Sequence, residues 1–301
     1  MTTTSPAVDL VPVEVVDEEG RPPSVWRAIL GSAEGRIGAG LGAIVLFVII
    51  FGRFFTPYPP DAIAVGGATT GPSGAHLLGT DALGRDTLSR LLVGGTTIIL
   101  IPLISVTLAW IVGGTLGMLG AYKGGRADGL ITRGFDLLMA LPPLMLVLVA
   151  IAGLGTSNLV LVITIMLVYL PRMGRLVRGA TQAVITNEYV AAAQARGERT
   201  RAILFREVLP NIMAPTVADF TLRITYGVIF VATLNFLGLG VQPPKADWGV
   251  MVAEGRGFIN LDPAATLAPA AAIAVLSVAF NLLADALTQH VTRSGREIIP
   301  L

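Results

Sequence analysis

The chain has 301 residues, no cysteine and a net charge of +1; 53% of its residues are hydrophobic and only 14% are charged. A soluble domain carries about 25% charged residues, so much of this surface faces something other than water. The near-zero net charge excludes an overall field for nucleic acid, and the missing cysteine excludes disulfides and thiolate chemistry.

Residues 1–30 hold Asp9, Glu14, Asp17, Glu18 and Glu19 together with four prolines. That composition predicts a disordered tail. It does not fit a secretory signal, which needs a basic start and an apolar run. Six apolar runs follow, each judged against the roughly 20 residues that cross a bilayer. The first covers 37–55, closed by Pro57, with Arg53 placed to snorkel at its end. The second covers 96–119. The third covers 130–153 and the fourth 158–170, joined by the tight link GLGTSN. The fifth covers 214–239, and the sixth fits the uncharged run between Asp262 and Asp285.

Ala109, Gly113 and Gly117 recur every four residues on the second run, a small-residue stripe that lets helix backbones approach closely. Pro102, Pro142, Pro143 and Pro269 fall inside runs, which predicts bends where neighbours re-satisfy freed carbonyls. Six spans place both termini on one side. Of the 21 basic residues, Arg53, Arg85, Arg90, Lys245 and Arg256 lie on the opposite face. The positive-inside rule therefore makes the terminal face cytoplasmic.

The outer segment before the second span pairs Asp81 with Arg85 and Asp86 with Arg90 at i, i+4 on a short helix, with Asp81 as its cap. Exposed pairs of this kind contribute only about 0.3–0.5 kcal/mol each. The segment reads as a capped interfacial helix or as a docking surface. The second outer loop, 242–260, carries Trp248, Glu254 and Arg256; Trp248 reads as an interface anchor or a docking residue. His76 and His290 lie far apart without a neighbouring ligand pair, which argues against a metal site and reads as exposed, idle histidines.

Between the fourth and fifth spans stands EYVAAAQARGERTRAILFREVLP, residues 188–210. It is charged, alanine-rich and helical in character. Asn187 is placed to cap a first helix, and Glu188 complements its positive end. Gly197 supplies the stop, because it enters the left-handed region cheaply. A second helix is expected over 200–209, ending or kinking at Pro210. Ala191, Ala192, Ala193 and Ala195 coat the first helix with methyl groups. Tyr189 and Val190 offer larger anchors, and Arg196, Arg199, Arg201 and Arg206 rim it. A DNA-binding reading fails, because the segment is tethered between membrane spans. The residues leave two readings open: an interfacial helix on anionic lipid, or a helix that docks in a groove of a cytosolic partner.

On the fifth span Asp219 and Arg223 form an i, i+4 pair near the inner end. They read as a self-neutralising pair or as the inner mouth of a pathway, with Tyr226 and Asn235 lining it further out. The chain contains no Gly-Lys pair, so it lacks the phosphate-binding P-loop.

The order Glu188, Ala191–Ala192, Gly197, Leu209–Pro210 resembles the EAA loop of permease subunits of ATP-driven, binding-protein-dependent importers. HLLGTDALGRDTLSRLLVGG (76–95), GAYKGGRAD (120–128), LPNIMAP (209–215) and NFLGLGVQPPKADWGVMVAEGR (235–256) narrow the resemblance to the oligopeptide/dipeptide permease family, C-type subunit. The similarity covers about 37–290. The chain departs from the family pattern at Gln194, Arg196, Val231 and Asn235.

The resemblance implies an all-α polytopic membrane protein with six transmembrane helices, a MetI-like permease of a type I importer, with both termini cytoplasmic. The chain is expected to divide into a disordered cytoplasmic N-terminal tail (1–30), a first transmembrane helix with an extracytoplasmic segment (31–95), a five-helix permease core with cytoplasmic coupling loop 186–210 (96–290), and a cytoplasmic C-terminal tail (291–301). The resemblance implies ATPase coupling through Glu188, Tyr189, Val190, Ala191, Ala192, Ala193, Arg196, Gly197, Leu209 and Pro210. Asp219, Arg223, Tyr226 and Asn235 are candidates for the pathway wall. Asp81, Arg85, Asp86, Trp248 and Glu254 are candidates for docking a binding protein. No catalytic or metal site is expected in the chain, and no cofactor; ATP and Mg would sit on partner subunits. The implied partners are a second homologous permease subunit, two ATP-binding subunits or domains, an extracytoplasmic substrate-binding protein, the lipid bilayer and a peptide substrate, and no nucleic acid. The implied location is the cell membrane. Nickel or another small solute as cargo, and a proton-driven secondary transporter, are the alternatives.

Overall fold

The computed structural model describes residues 30–296. The expected tail over 1–30 lies outside them but for its last residue, as does the end of the C-terminal tail.

Helix α1 (Ala33–Phe51) starts at Ser32, whose hydroxyl accepts the Gly35 N–H, and tightens into a 3₁₀ turn, Gly52–Phe55. After an irregular segment comes the short α2 (Thr87–Val93). Helix α3 (Thr96–Lys123) runs through Pro102 and stops at Gly124, whose φ of +63° ends it. Helix α4 (Gly125–Met139) and α5 (Pro143–Leu154) meet at a bend of 83°, as a broken span or a re-entrant loop does. The expected third span is therefore broken. Pro142 and Pro143 have no N–H to continue the ladder, and Pro143 instead opens the next helix.

Helix α6 (Asn158–Val184) is capped by Ser157 and continues 14 residues past the expected end at 170. The apolar run ends there, but the helix persists as an amphipathic rod with Met173, Gly174, Val177 and Thr181 buried on one face. Helix α7 (Glu188–Ala195) follows. A turn at Thr200–Ala202, a π-helix (Ile203–Val208) and α8 (Leu209–Phe236) are continuous. Of the end or kink expected at Pro210, the end is not met, since the helix continues through it. The Leu209 N–H bonds the Leu204 carbonyl five residues back, so the wider π turn takes up the strain of a proline at the start of α8. Helix α9 (Trp248–Gly255) is capped by Asp247, and α10 (Ala264–Arg296) closes the bundle; its candidate span is Ala264–Thr288, and the helix continues beyond it.

Four helices and the joined α2–α3 stretch are candidates to span a bilayer, five in all, or six if the bent α4–α5 pair counts as one span; no strand occurs among the described residues. The small-residue stripe does what its spacing predicts. A Cβ on Gly113 would stand 2.5 Å from the Leu170 carbonyl oxygen, and one on Gly117 would run into the Gly174 carbonyl. Helices α3 and α6 thus meet backbone to backbone. Gly38 plays the same part for α1 against Leu282 of α10.

The apolar interior falls into two parts. The larger follows the spans, with Ile98, Val106, Ile165, Val228 and Leu276 among its buried members. The smaller gathers Met118, Val177, Val190, Ala193, Ile203, Leu204, Val208 and Ile212 beneath α7.

Candidate functional site

The α7 hairpin is held by chemistry at both ends. Asn187 occupies the N-cap position with extended backbone, but its side chain makes no cap bond; its carbonyl accepts from Val190 and Ala191. At the other end Gly197 adopts φ +72°. The Glu198 N–H reaches the Ala193 carbonyl at 3.2 Å, and the Gly197 N–H reaches that of Gln194 at 2.9 Å. This pair of bonds is a Schellman stop, which satisfies carbonyls the helix leaves open.

Four residues decide which face of α7 is free. Val190 and Ala193 are fully buried in the smaller core, while Ala191 and Ala192 are exposed. Val190 is therefore no outward anchor, contrary to the sequence expectation. It plugs the hairpin into the spans, and its burial contributes roughly 1.5–3 kcal/mol. Tyr189 is half-buried on the same core, and Arg196 pairs with Glu198 at 2.7 Å. Leu209 is partly buried and Pro210 exposed at the start of α8. The result is a short methyl-coated surface, Glu188, Ala191, Ala192 and Ala195, on a rod fixed from beneath.

The four pathway candidates do not form one wall. Asp219 and Arg223 pair as expected, at 2.9 Å, with both side chains largely buried. Tyr226 is 56% exposed. Asn235 is buried: its Oδ1 accepts the Val241 N–H at 3.0 Å and its Nδ2 donates to Asp247 at 2.8 Å. It ties the end of α8 to the start of α9. Burial pushes the Asp247 carboxyl above the usual aspartate range, against hydrogen bonds from Thr97, Val250, Asn235 and Gly249.

At the end of the bundle opposite α7, the outer candidates are mostly interior. Arg85, Asp86 and Trp248 are each 1–2% exposed. Asp86, not Asp81, caps α2, by accepting the Ser89 N–H, and its other oxygen pairs with His76 Nδ1 at 2.9 Å. His76 is buried and engaged, which corrects the expectation of an idle surface histidine; the side chain of His290 lies outside the described residues. Asp81 lies before the helix and pairs with Arg85 at 2.5 Å. Arg85 and Arg90 both reach Glu254 of α9, at 2.7 and 3.3 Å. The Trp248 indole N–H donates to the Leu91 carbonyl at 2.8 Å, so the ring is a core strut and not an interface anchor. Only Asp81 and Glu254 of the five docking candidates keep some exposure. Of the two expected i, i+4 pairs Asp81–Arg85 forms, while Asp86 turns to His76 and Ser89 and Arg90 to Asp81 and Glu254; the cross-links to α9 span more than 150 residues and leave no local signal.

A family model described as the inner membrane component of binding-protein-dependent transport systems matches residues 113–294. The glutathione transport system permease protein GsiD of Pectobacterium atrosepticum is 36% identical, over 87% of each chain. The probable D,D-dipeptide transport system permease protein DdpC of Escherichia coli is 37% identical, again over 87% of each. The di/tripeptide transport system permease protein DppC of Pseudomonas aeruginosa is 38% identical, over 87% of this chain and 88% of that one. Among solved structures, an inward-facing form of the MetNI methionine ABC transporter superposes with a TM-score of 0.55 at 16% identity, over 68% of this chain and 97% of that one. That last likeness speaks to the fold alone.

Proposed function

We propose, from the premise that the chain belongs to the family of binding-protein-dependent transport system inner membrane components, that it carries short peptides inward with power from ATPases docked on α7. As a member it is a membrane-embedded permease subunit of an ABC importer. The peptide cargo rests on the named substrates of its relatives. ATP and Mg would be bound by two partner ATPase subunits or domains, a second permease subunit would complete the path, and a binding protein would deliver cargo on the face of α2 and α9. On this reading the α7 end, with both termini, is cytoplasmic.

One observation carries the coupling role. Ala191 and Ala192 are exposed on a helix whose other face is plugged by Val190 and Ala193, and which the turn at 196–199 joins to the helical stretch running from Thr200 into α8. A small-residue surface loses little side-chain entropy when it seats in a groove. A rod fixed to the smaller core passes the motion of that groove to α6 and α8 as a rigid-body shift.

Since the chain has no cysteine of its own, Ala192→Cys gives a unique attachment point. A short bifunctional crosslinker on this variant in native membranes should trap an ATP-hydrolysing subunit. Attachment to lipid alone would refute the docking role.

A further inference from the structure

One face of α6 changes character along its length. Val168, Arg172, Arg175, Gly179 and Gln182 recur at helical spacing, and all are partly or fully exposed. The opposite face, with Met173, Gly174 and Val177, is sealed against α3. Arg175 pairs with Asp136 of α4, and both side chains remain about half exposed, at 45% and 52%. Arg172 and Arg175 lie just past the apolar run that ends at Leu170, and lipid penalises such charges heavily. This stripe is therefore a wall that faces water or protein and not acyl chains.

Arg172 is the deepest charge on that wall. It stands about 21 Å along α6 from its start at Asn158, at 1.5 Å per residue. It makes no hydrogen bond or ion pair with any described residue. It lines a cavity of about 170 Å³ at the bend between α4 and α5, beside Leu138, Pro142, Leu146 and Val168. Every other member of that lining is apolar. Asp136 already neutralises Arg175, so the wall keeps one uncompensated positive charge.

We propose that Arg172 binds the carboxylate of the peptide cargo as it passes the half of the membrane nearest α7. This rests on the peptide-importer reading above. A short peptide carries a terminal carboxylate at neutral pH, and a guanidinium matches that group with paired N–H donors. The apolar neighbours of Arg172 lower the local dielectric and so strengthen the attraction.

The test uses the whole complex in vesicles with ATP. Arg172→Cys should lower peptide uptake about 10-fold, the scale of one charge-assisted hydrogen bond. Labelling that cysteine with a cationic aminoethyl thiosulfonate should restore uptake to within about three-fold of the wild type, because it replaces the lost charge. An anionic sulfonatoethyl label should react but give no recovery. The same pattern should hold in vesicles of phosphatidylcholine alone. Four results would overturn the proposal: normal uptake by the cysteine variant, no reaction with either reagent, equal recovery with both, or a defect that needs anionic lipid. That last result would assign Arg172 to a lipid headgroup. Absence of ATP-driven uptake by the wild-type complex would instead sink the importer reading itself.

Discussion

Glu254 on α9 accepts a hydrogen bond from Arg85 at 2.7 Å across 169 residues of sequence, and the same carboxylate oxygen receives Arg90 at 3.3 Å. Two buried guanidiniums thus converge on one partly exposed acid, with Asp81 as their second counter-charge. Removing one partner from such a group leaves charge uncompensated in a dry place. Glu254→Gln should lower stability by about 1.5–3 kcal/mol, the range for hydrogen bonds to charged groups. Thermal unfolding of the purified protein reads this out, and an unchanged midpoint would show that Asp81 alone suffices.

Gly197 stands at φ +72°, yet a Cβ there would meet nothing within 4 Å. Substitutions therefore test backbone strain without crowding. Asn, which tolerates the left-handed region, should leave uptake near normal. Val should cost about 1–3 kcal/mol locally. It should loosen the Schellman stop and lower the uptake obtained per ATP hydrolysed. Equal behaviour of the two variants would show that the stop is not needed for coupling.

The α3–α6 contact depends on missing side chains. Gly117→Ala should cost about 1–3 kcal/mol, because its new methyl group has only backbone to displace. Gly129→Ala, where a Cβ meets nothing within 4 Å, should be neutral or slightly stabilising through helix propensity. Paired denaturation curves settle the contrast.

Asp247 gives a pH signature. Its folded pKa is raised by burial, so its contribution to stability is present at low pH. That contribution is lost as pH rises from the ordinary aspartate range through the higher folded value. Asp247→Asn keeps an acceptor for Asn235 and the backbone N–H groups and removes the titration. Its stability should vary less with pH over that window than the wild type's. Parallel curves for both proteins would exclude Asp247 as the source.

The spans and the hairpin were legible in the sequence because their signals are local: apolar length, an alanine run, and a glycine between Arg196 and Arg199. The small-residue stripe of Ala109, Gly113 and Gly117 also gave its contact correctly, since it needs only one helix to be recognised. Other features were not local. Val190 looks like an anchor by size, and only packing beneath α7 turns it inward. Asn235 and Trp248 sit in a motif that suggested a path and an interface, while their partners, Asp247 and Leu91, come from separate elements. The length of α6 was missed because hydropathy ends at Leu170 but helical packing does not. Arg172 drew no attention in a basic stretch, since its distinction is the lack of the partner that Arg175 has.

The π turn between α7 and α8 has a geometric corollary. It holds one residue more than the α-helical winding around it, and each residue in an α-helix corresponds to about 100° of rotation. The azimuth of Tyr226 and Asn235 relative to the turn at Thr200–Ala202 is thus offset by that surplus. Shifting the surplus along the rod would spin the residues it passes without stretching the chain, so torsion as well as tilt is available to carry a signal upward.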